Sequence, residues 1–152
     1  MREAKETYQY ITKLIKESGL VFSYIVFDEL YTFIGKKSRR YYIWGAVAVT
    51  RTGKKYYFYH LSRRKTASEL FNFNLSLPSA PQYFSDGHFA YNNVLGDKVV
   101  MEKSAKTNLV ENLNSQMRDN ISYLVRKSKA HAKSFAWLDA RLALFFNSLN
   151  FS

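Results

Sequence analysis

The 152-residue chain contains no cysteine. This excludes a disulfide scaffold, a cysteine-ligated zinc site, an iron–sulfur cluster and a thiol nucleophile. Proline is scarce too, with Pro78 and Pro81 alone, and no repeat or low-complexity tract occurs. Because 47% of the residues are apolar, the chain can form one hydrophobic core, and we expect a folded domain.

Carboxylates are the next scarce group. The chain has 12 Asp and Glu residues against 23 Lys and Arg residues, which gives a formal net charge of +11. Such an excess of positive charge is typical of proteins that bind polyanions, and nucleic acid is the usual one.

Long hydrophobic runs are also missing, because Lys, Arg, Asp or Asn interrupts every apolar stretch before it could span a bilayer. The charged N-terminal sequence MREAKETYQYITK has no apolar signal-peptide core. We therefore expect no membrane partner and a cytoplasmic location.

Hydrophobic periodicity predicts an α/β fold. The predicted elements are a helix in the first twenty residues, strands at Val21–Gly35, Tyr41–Thr50 and Lys55–Leu61, a helix capped by Thr66, short strands at Gln82–Ser85 and in KVVMEK, and helices from about Asn108 and in SFAWLDARLALFFNSL. Three consecutive strands followed by alternating elements favour a mixed sheet flanked by helices. We expect residues 1–20 to be an N-terminal helix or linker and residues 21–152 to form the main domain.

Asp28 lies inside the most hydrophobic predicted strand. A charge buried there needs a cationic partner such as a metal ion; alternatively, the strand emerges into solvent at this residue. Both interpretations stay open. The adjacent Glu29 should point to the opposite face of the strand, away from any site that Asp28 forms.

Two further carboxylates have both structural and functional interpretations. Asp86 precedes Gly87, which is typical of a turn, but it also follows a strand, where α/β sheets place ligands. Glu111 lies near the start of a predicted helix, where it suits the helix dipole and can pair with Asn108. It also begins a polar face that continues with Ser115, Arg118, Ser122, Arg126, Lys129 and Lys133. This face is either solvated, or it consists of a metal ligand followed by phosphate-binding residues.

Three blocks of the sequence resemble the insertion-sequence-one (IS-one) family of transposases. They are FDELYTFIGKKSRRYYIW from Phe27, FSDGHFAY from Phe84, and TNLVENLNSQMRDNISYLVRKSKAHAKS from Thr107. The long interval from Asp28 to Asp86 and the shorter one to Glu111 are similar to those of the family's Asp-Asp-Glu triad.

This resemblance implies a ribonuclease-H-like catalytic domain over residues 21–152, with Asp28, Asp86 and Glu111 as catalytic residues and ligands of two Mg²⁺ or Mn²⁺ ions. It also implies two-metal cleavage of DNA and strand transfer at transposon ends by a homo-oligomer. The location that it implies is prokaryotic and nucleoid-associated. The positions that match the family's basic helix and the segment after it are Asn114, Arg118, Arg126, Lys127, Lys133 and Ser134.

Further cations are candidates for DNA contact, although any one of them could be a solubilising surface charge. They are Lys129 on the helix and the turn residues Lys36, Lys37, Arg39 and Arg40. Family members also carry an N-terminal cysteine zinc-binding segment and a helix-turn-helix, which this sequence lacks. We expect a separate N-terminal segment to supply recognition of the DNA ends.

Two other functions fit the same residues. A non-catalytic, basic nucleic-acid-binding module needs only the positive surface, with the three carboxylates serving as strand-end, turn and cap residues. A ribonuclease-H or junction-cleaving nuclease on the same fold would differ from a transposase only in its substrate.

Overall fold

The computed structural model of the chain describes residues 2–33, 40–85, 99–100, 108–127 and 135–151; side chains are described for 3–32, 40–85, 108–120 and 135–151. The helices are α1 (Arg2–Glu17), α2 (Ala67–Ser76), α3 (Asn108–Lys127) and α4 (Phe135–Phe151). The strands are β1 (Phe22–Phe33), β2 (Arg40–Thr50), β3 (Lys55–Ser62), β4 (Tyr83–Phe84) and β5 (Val99–Val100). None of the helices in the described parts of the chain has the length and apolar character needed to span a bilayer.

The described strands form one mixed sheet in the order β3-β2-β1-β4-β5. β1, β2 and β3 are antiparallel neighbours, whereas β4 runs parallel to β1 and β5 runs parallel to β4. The register of β1 and β4 pairs Val26 with Phe84. β1 is therefore the central strand, with antiparallel strands on one side and parallel strands on the other.

α3 and α4 pack on one face of the sheet, α2 packs on the other, and α1 contributes to both cores. The front face carries Leu30 and Ile43, which belong to a core cluster with Leu113 of α3 and Leu138 of α4. The back face carries Phe27, Trp44 and Phe58, which pack with Leu70 and Phe73 of α2. Since successive β1 side chains alternate between the faces, Asp28 lies on the front face and Glu29 on the back face.

The outer edge of β3 is covered by side chains rather than by another described strand. The Tyr8 hydroxyl in α1 donates to the Tyr59 carbonyl at 3.1 Å and accepts from the Tyr59 amide at 2.8 Å. The Asn150 side chain in α4 likewise accepts from the Tyr57 amide and donates to the Tyr57 carbonyl, each at 2.8 Å. Burial raises the pKa of the Tyr8 phenol, so its hydroxyl keeps the proton that it donates.

The structure confirms the predicted α/β class and mixed sheet. Thr66 caps α2 as predicted, with its side chain accepting from the Glu69 amide. α1 ends before Gly19, whose positive φ of 77° suits glycine at a helix end. The proposed division at residue 20 stays a prediction; α1 packs against α4 and β3 through Tyr8 and Phe146.

Candidate functional site

Asp28 is half-buried on the front face of the central strand, opposite Gly45 of β2. β1 does not leave the core at this point, because Leu30, the next residue on the same face, is only 4% exposed. The carboxylate therefore lies within the covered part of the sheet. This favours the prediction of a partnered Asp28 over that of a strand that ends in solvent.

Asn114 of α3 is the described partner of the Asp28 carboxylate. Its Nδ2 donates to Asp28 Oδ2 at 2.8 Å, and the Glu29 backbone amide donates to Oδ1 at 2.8 Å. Asn114 is 5% exposed, and its Oδ1 has no hydrogen-bond partner among the described residues. A buried amide oxygen without a partner costs about 1–3 kcal/mol, so this atom is a candidate ligand atom.

Gly45 of β2, the residue paired with Asp28, lies beneath α3. A Cβ at this position would lie 3.6 Å from Leu113 Cδ2 and 3.8 Å from both Asn114 Oδ1 and Met117 Cε. Leu113 and Met117 fill the space around the glycine, and Asn114 extends from the same helix face to Asp28. Packing of α3 against β2 thus positions the Asn114 amide.

Glu111 and Arg118 are exposed on α3, one turn on either side of Asn114. Residues spaced by three and four along a helix lie on one side of it, about 5–6 Å apart at Cβ. Along this side of α3 lie, in order, the Glu111 carboxylate, the Asn114 amide that binds Asp28, and the Arg118 guanidinium.

Glu29 forms an ion pair with Lys65 on the back face, with Oε1 2.8 Å from Nζ. Its side chain is 9% exposed. This confirms that Glu29 does not share the environment of Asp28.

Several predicted site residues lie outside the described residues, and their placement stays a prediction. Arg40 is described and exposed at the start of β2. For Arg126 and Lys127 only the backbone in α3 is described. The residues outside the described ranges are Asp86, Lys36, Lys37, Arg39, Lys129, Lys133 and Ser134.

No three His, Asp or Glu side chains form a potential metal-binding group within the described ranges, which omit Asp86. Ser85, the residue before Asp86, is fully buried, and its Oγ has no partner in the described part of the chain.

The contact between Asn114 and Asp28 was not predicted from the sequence. The resemblance marked Asn114 as one position of the basic helix, but it did not pair it with Asp28. A signal was present, because Asn114 interrupts the apolar positions Val110, Leu113 and Met117 on the buried side of α3. A polar residue at such a position requires a partner.

The strand order, with three antiparallel strands followed by two parallel ones and helices on both faces, defines a ribonuclease-H-like α/β fold. The model of the IS1 transposase family matches residues 21–152, and the chain belongs to this family. Comparison with individual curated proteins gave no match. Transposases act on DNA, so family membership identifies DNA as the partner.

Proposed function

We propose that this chain is the catalytic domain of a DNA transposase, which cleaves and joins DNA strands at transposon ends with Asp28, Asp86 and Glu111 as metal ligands. The observation that carries the proposal is the half-buried Asp28 carboxylate on the central strand, bound to Asn114 of α3. A carboxylate in this position is available to a ligand that reaches both the sheet and α3.

The register of β1 and β4 supports a role for Asp86. Val26 pairs with Phe84 in parallel, Asp28 follows Val26 by two residues, and Asp86 follows Phe84 by two residues. If the register continued for those two residues, the aspartates would lie level on neighbouring strands, whose usual spacing is about 4.8 Å. This expectation concerns a residue outside the described ranges and is part of the proposal.

The donor atoms fit a hard divalent cation. Mg²⁺ and Mn²⁺ prefer oxygen ligands, and the Asp28 carboxylate, the Asn114 Oδ1 atom and the exposed Glu111 carboxylate all offer oxygen. The proposed ligands are Asp28, Asp86 and Glu111. Two bound ions would activate water and neutralise charge on the phosphate.

The protein groups would orient the reactants. Asn114 fixes the Asp28 carboxylate, and the exposed Arg118 would contact a DNA phosphate beside Glu111. Attack of water on a phosphodiester breaks the P–O3′ bond and leaves a 3′-hydroxyl and a 5′-phosphate. The 3′-hydroxyl then attacks a target phosphodiester, forms a new P–O3′ bond and releases another 3′-hydroxyl.

The test compares Asp28→Asn and Glu111→Gln with Asp119→Asn, a matched control because Asp119 is exposed on the same helix as Glu111. Cleavage of a labelled duplex with Mg²⁺ should fall by more than about 100-fold in the first two variants, since even the groups that orient metal ligands contribute about 10- to 100-fold. Asp119→Asn should keep full activity, and calorimetry with Mn²⁺ should show weakened binding in the Asp28 and Glu111 variants only.

Two outcomes would support the other functions. DNA binding without cleavage, and without metal binding that depends on Asp28, would make the chain a non-catalytic DNA-binding module. Cleavage of an RNA–DNA hybrid or a four-way junction, but not of linear DNA ends, would make it a nuclease of that class.

A further inference from the structure

Tyr31 is an exposed aromatic residue of β1. It lies on the back face of the strand, three residues after Asp28, and is 57% exposed. The guanidinium carbon of Arg40 lies 4.7 Å from the centre of the Tyr31 ring. The two planar groups thus form an exposed cation–π pair.

Strand pairing and hydrogen bonds link the surface around this pair to buried residues of the sheet. Tyr31 is paired with Tyr42 of β2, which is half-buried and paired in turn with Ser62 at the end of β3. Ser62 Oγ accepts from the buried Trp44 Nε1 at 2.9 Å and donates to the Arg64 carbonyl at 2.7 Å. The exposed Arg64 therefore belongs to a turn that is bound to the sheet.

Together, Tyr31, Tyr42 and Arg40 form what we call the aromatic–arginine patch, and the exposed Arg64 lies in the turn that follows β3. Tyrosine rings and guanidinium planes stack on nucleobases, and arginine also binds backbone phosphates. Bases within a duplex are already stacked on their neighbours, so a side chain on a protein surface stacks only with unpaired bases. The patch therefore fits an unpaired DNA strand better than a duplex.

We propose that the aromatic–arginine patch binds unpaired nucleotides of a DNA strand, with Tyr31 and Arg40 stacking on a base. Tyr31 follows Asp28 by three residues of β1, which span about 10 Å, and lies on the opposite face of the sheet. This proposal adds a binding surface for unpaired DNA to the proposed transposase function. It rests on that function only in taking the nucleic acid to be DNA.

The experiment measures the binding of a short single-stranded DNA that carries 2-aminopurine, whose fluorescence falls when it stacks, and of a blunt duplex of the same sequence. Both titrations contain EDTA, so that metal-dependent cleavage does not contribute. Tyr31→Ala should weaken single-strand binding by about 10-fold or more and remove the quenching, whereas Tyr31→Phe should keep both. Duplex affinity should be unchanged in either variant.

Two further variants complete the experiment, one outside the patch as a control and one within it. Tyr10 is 64% exposed on α1, outside the patch, and Tyr10→Ala should bind both DNAs as the unmodified protein does. Arg40→Lys keeps the charge but loses the planar group, so it should lose part of the quenching while duplex affinity stays the same.

The proposal would be overturned if Tyr31→Ala bound and quenched single-stranded DNA like the unmodified protein, or if it weakened single-strand and duplex binding equally. Failure of the proposed function is separate from this result, because Asp28→Asn affects cleavage and should leave 2-aminopurine quenching intact.

Discussion

Asn114 connects the two structural elements that hold the candidate site. Its buried amide joins α3 to the Asp28 carboxylate on β1, and its Oδ1 atom has no partner within the described residues. Leu113 and Met117 of the same helix pack over Gly45 of β2, the residue paired with Asp28, and hold this part of α3 against the sheet. Site geometry and core packing are therefore coupled at this residue.

Replacing Asn114 by aspartate should place a second carboxylate beside Asp28. Repulsion between the two raises the pKa of the pair above the unfolded value of about 3.9, so the folded state binds more protons than the unfolded state. The free energy of unfolding should therefore be about 1–3 kcal/mol lower than in the unmodified protein at pH 7, and the difference should shrink as the pH falls toward 4.

Thermal unfolding between pH 4 and pH 8 measures this effect. Asn120→Asp, at an exposed position on the same helix, serves as the control and should change stability little at any pH. An Asn114→Asp deficit that stayed constant with pH would show that lost packing, and not charge repulsion, explains the change.

The sequence indicated the candidate residues but not the contact that joins them. Asp28 could be identified because a charge interrupts an apolar strand, and Glu111 because it begins a polar helix face. The pairing of Asn114 with Asp28 could not be predicted, since it depends on which turn of α3 lies over Gly45. That position is determined by packing between residues far apart in the chain.

At the level of elements, local patterns predicted the strands and helices with boundaries close to those observed. β2 and β3 alternate between two buried faces, and the Gly53 turn joins them, so both could be located from sequence. The neighbours of each element were harder to predict. The apolar side of α1 shows that this helix packs against something, but not that Tyr8 reaches the backbone of β3.

Asn150 is expected to stabilise the sheet, because its side chain makes the two backbone hydrogen bonds that a neighbouring strand would make with Tyr57. Asn150→Ala removes both hydrogen bonds to the Tyr57 backbone and should lower the free energy of unfolding by about 1–3 kcal/mol. Urea unfolding measures the change. Ser148→Ala, at an exposed position on α4, serves as the control and should change the free energy of unfolding by less than about 0.5 kcal/mol. An equal loss in both variants would contradict the role of the Asn150 hydrogen bonds at the edge of β3.

At the scale of the whole molecule, the net charge of +11 makes DNA binding strongly dependent on salt. Arg118 is exposed beside Glu111 and Asn114, so Arg118→Ala should weaken duplex binding and lower the slope of log affinity against log salt concentration by about one. Sequence preference should not change, because a phosphate contact does not read bases.

Arg51 provides the matched control for this measurement. It is exposed in the turn after β2, near the start of β1, and six residues of β1 separate that end from Asp28, a distance of about 20 Å. Arg51→Ala should change the slope less than Arg118→Ala. The reverse order would locate the DNA at the other end of the sheet.

α1 precedes the region matched by the family, yet it completes the sheet. The Tyr8 hydroxyl satisfies both backbone groups of Tyr59, and Lys5 joins the same edge to Asp139 of α4 with Nζ 3.2 Å from Oδ1. A chain that began at residue 21 would keep the whole matched region but would expose Tyr59 at the edge of β3. Exposed strand edges recruit strands from other molecules, so α1 protects this edge of the sheet from pairing with a strand of another molecule.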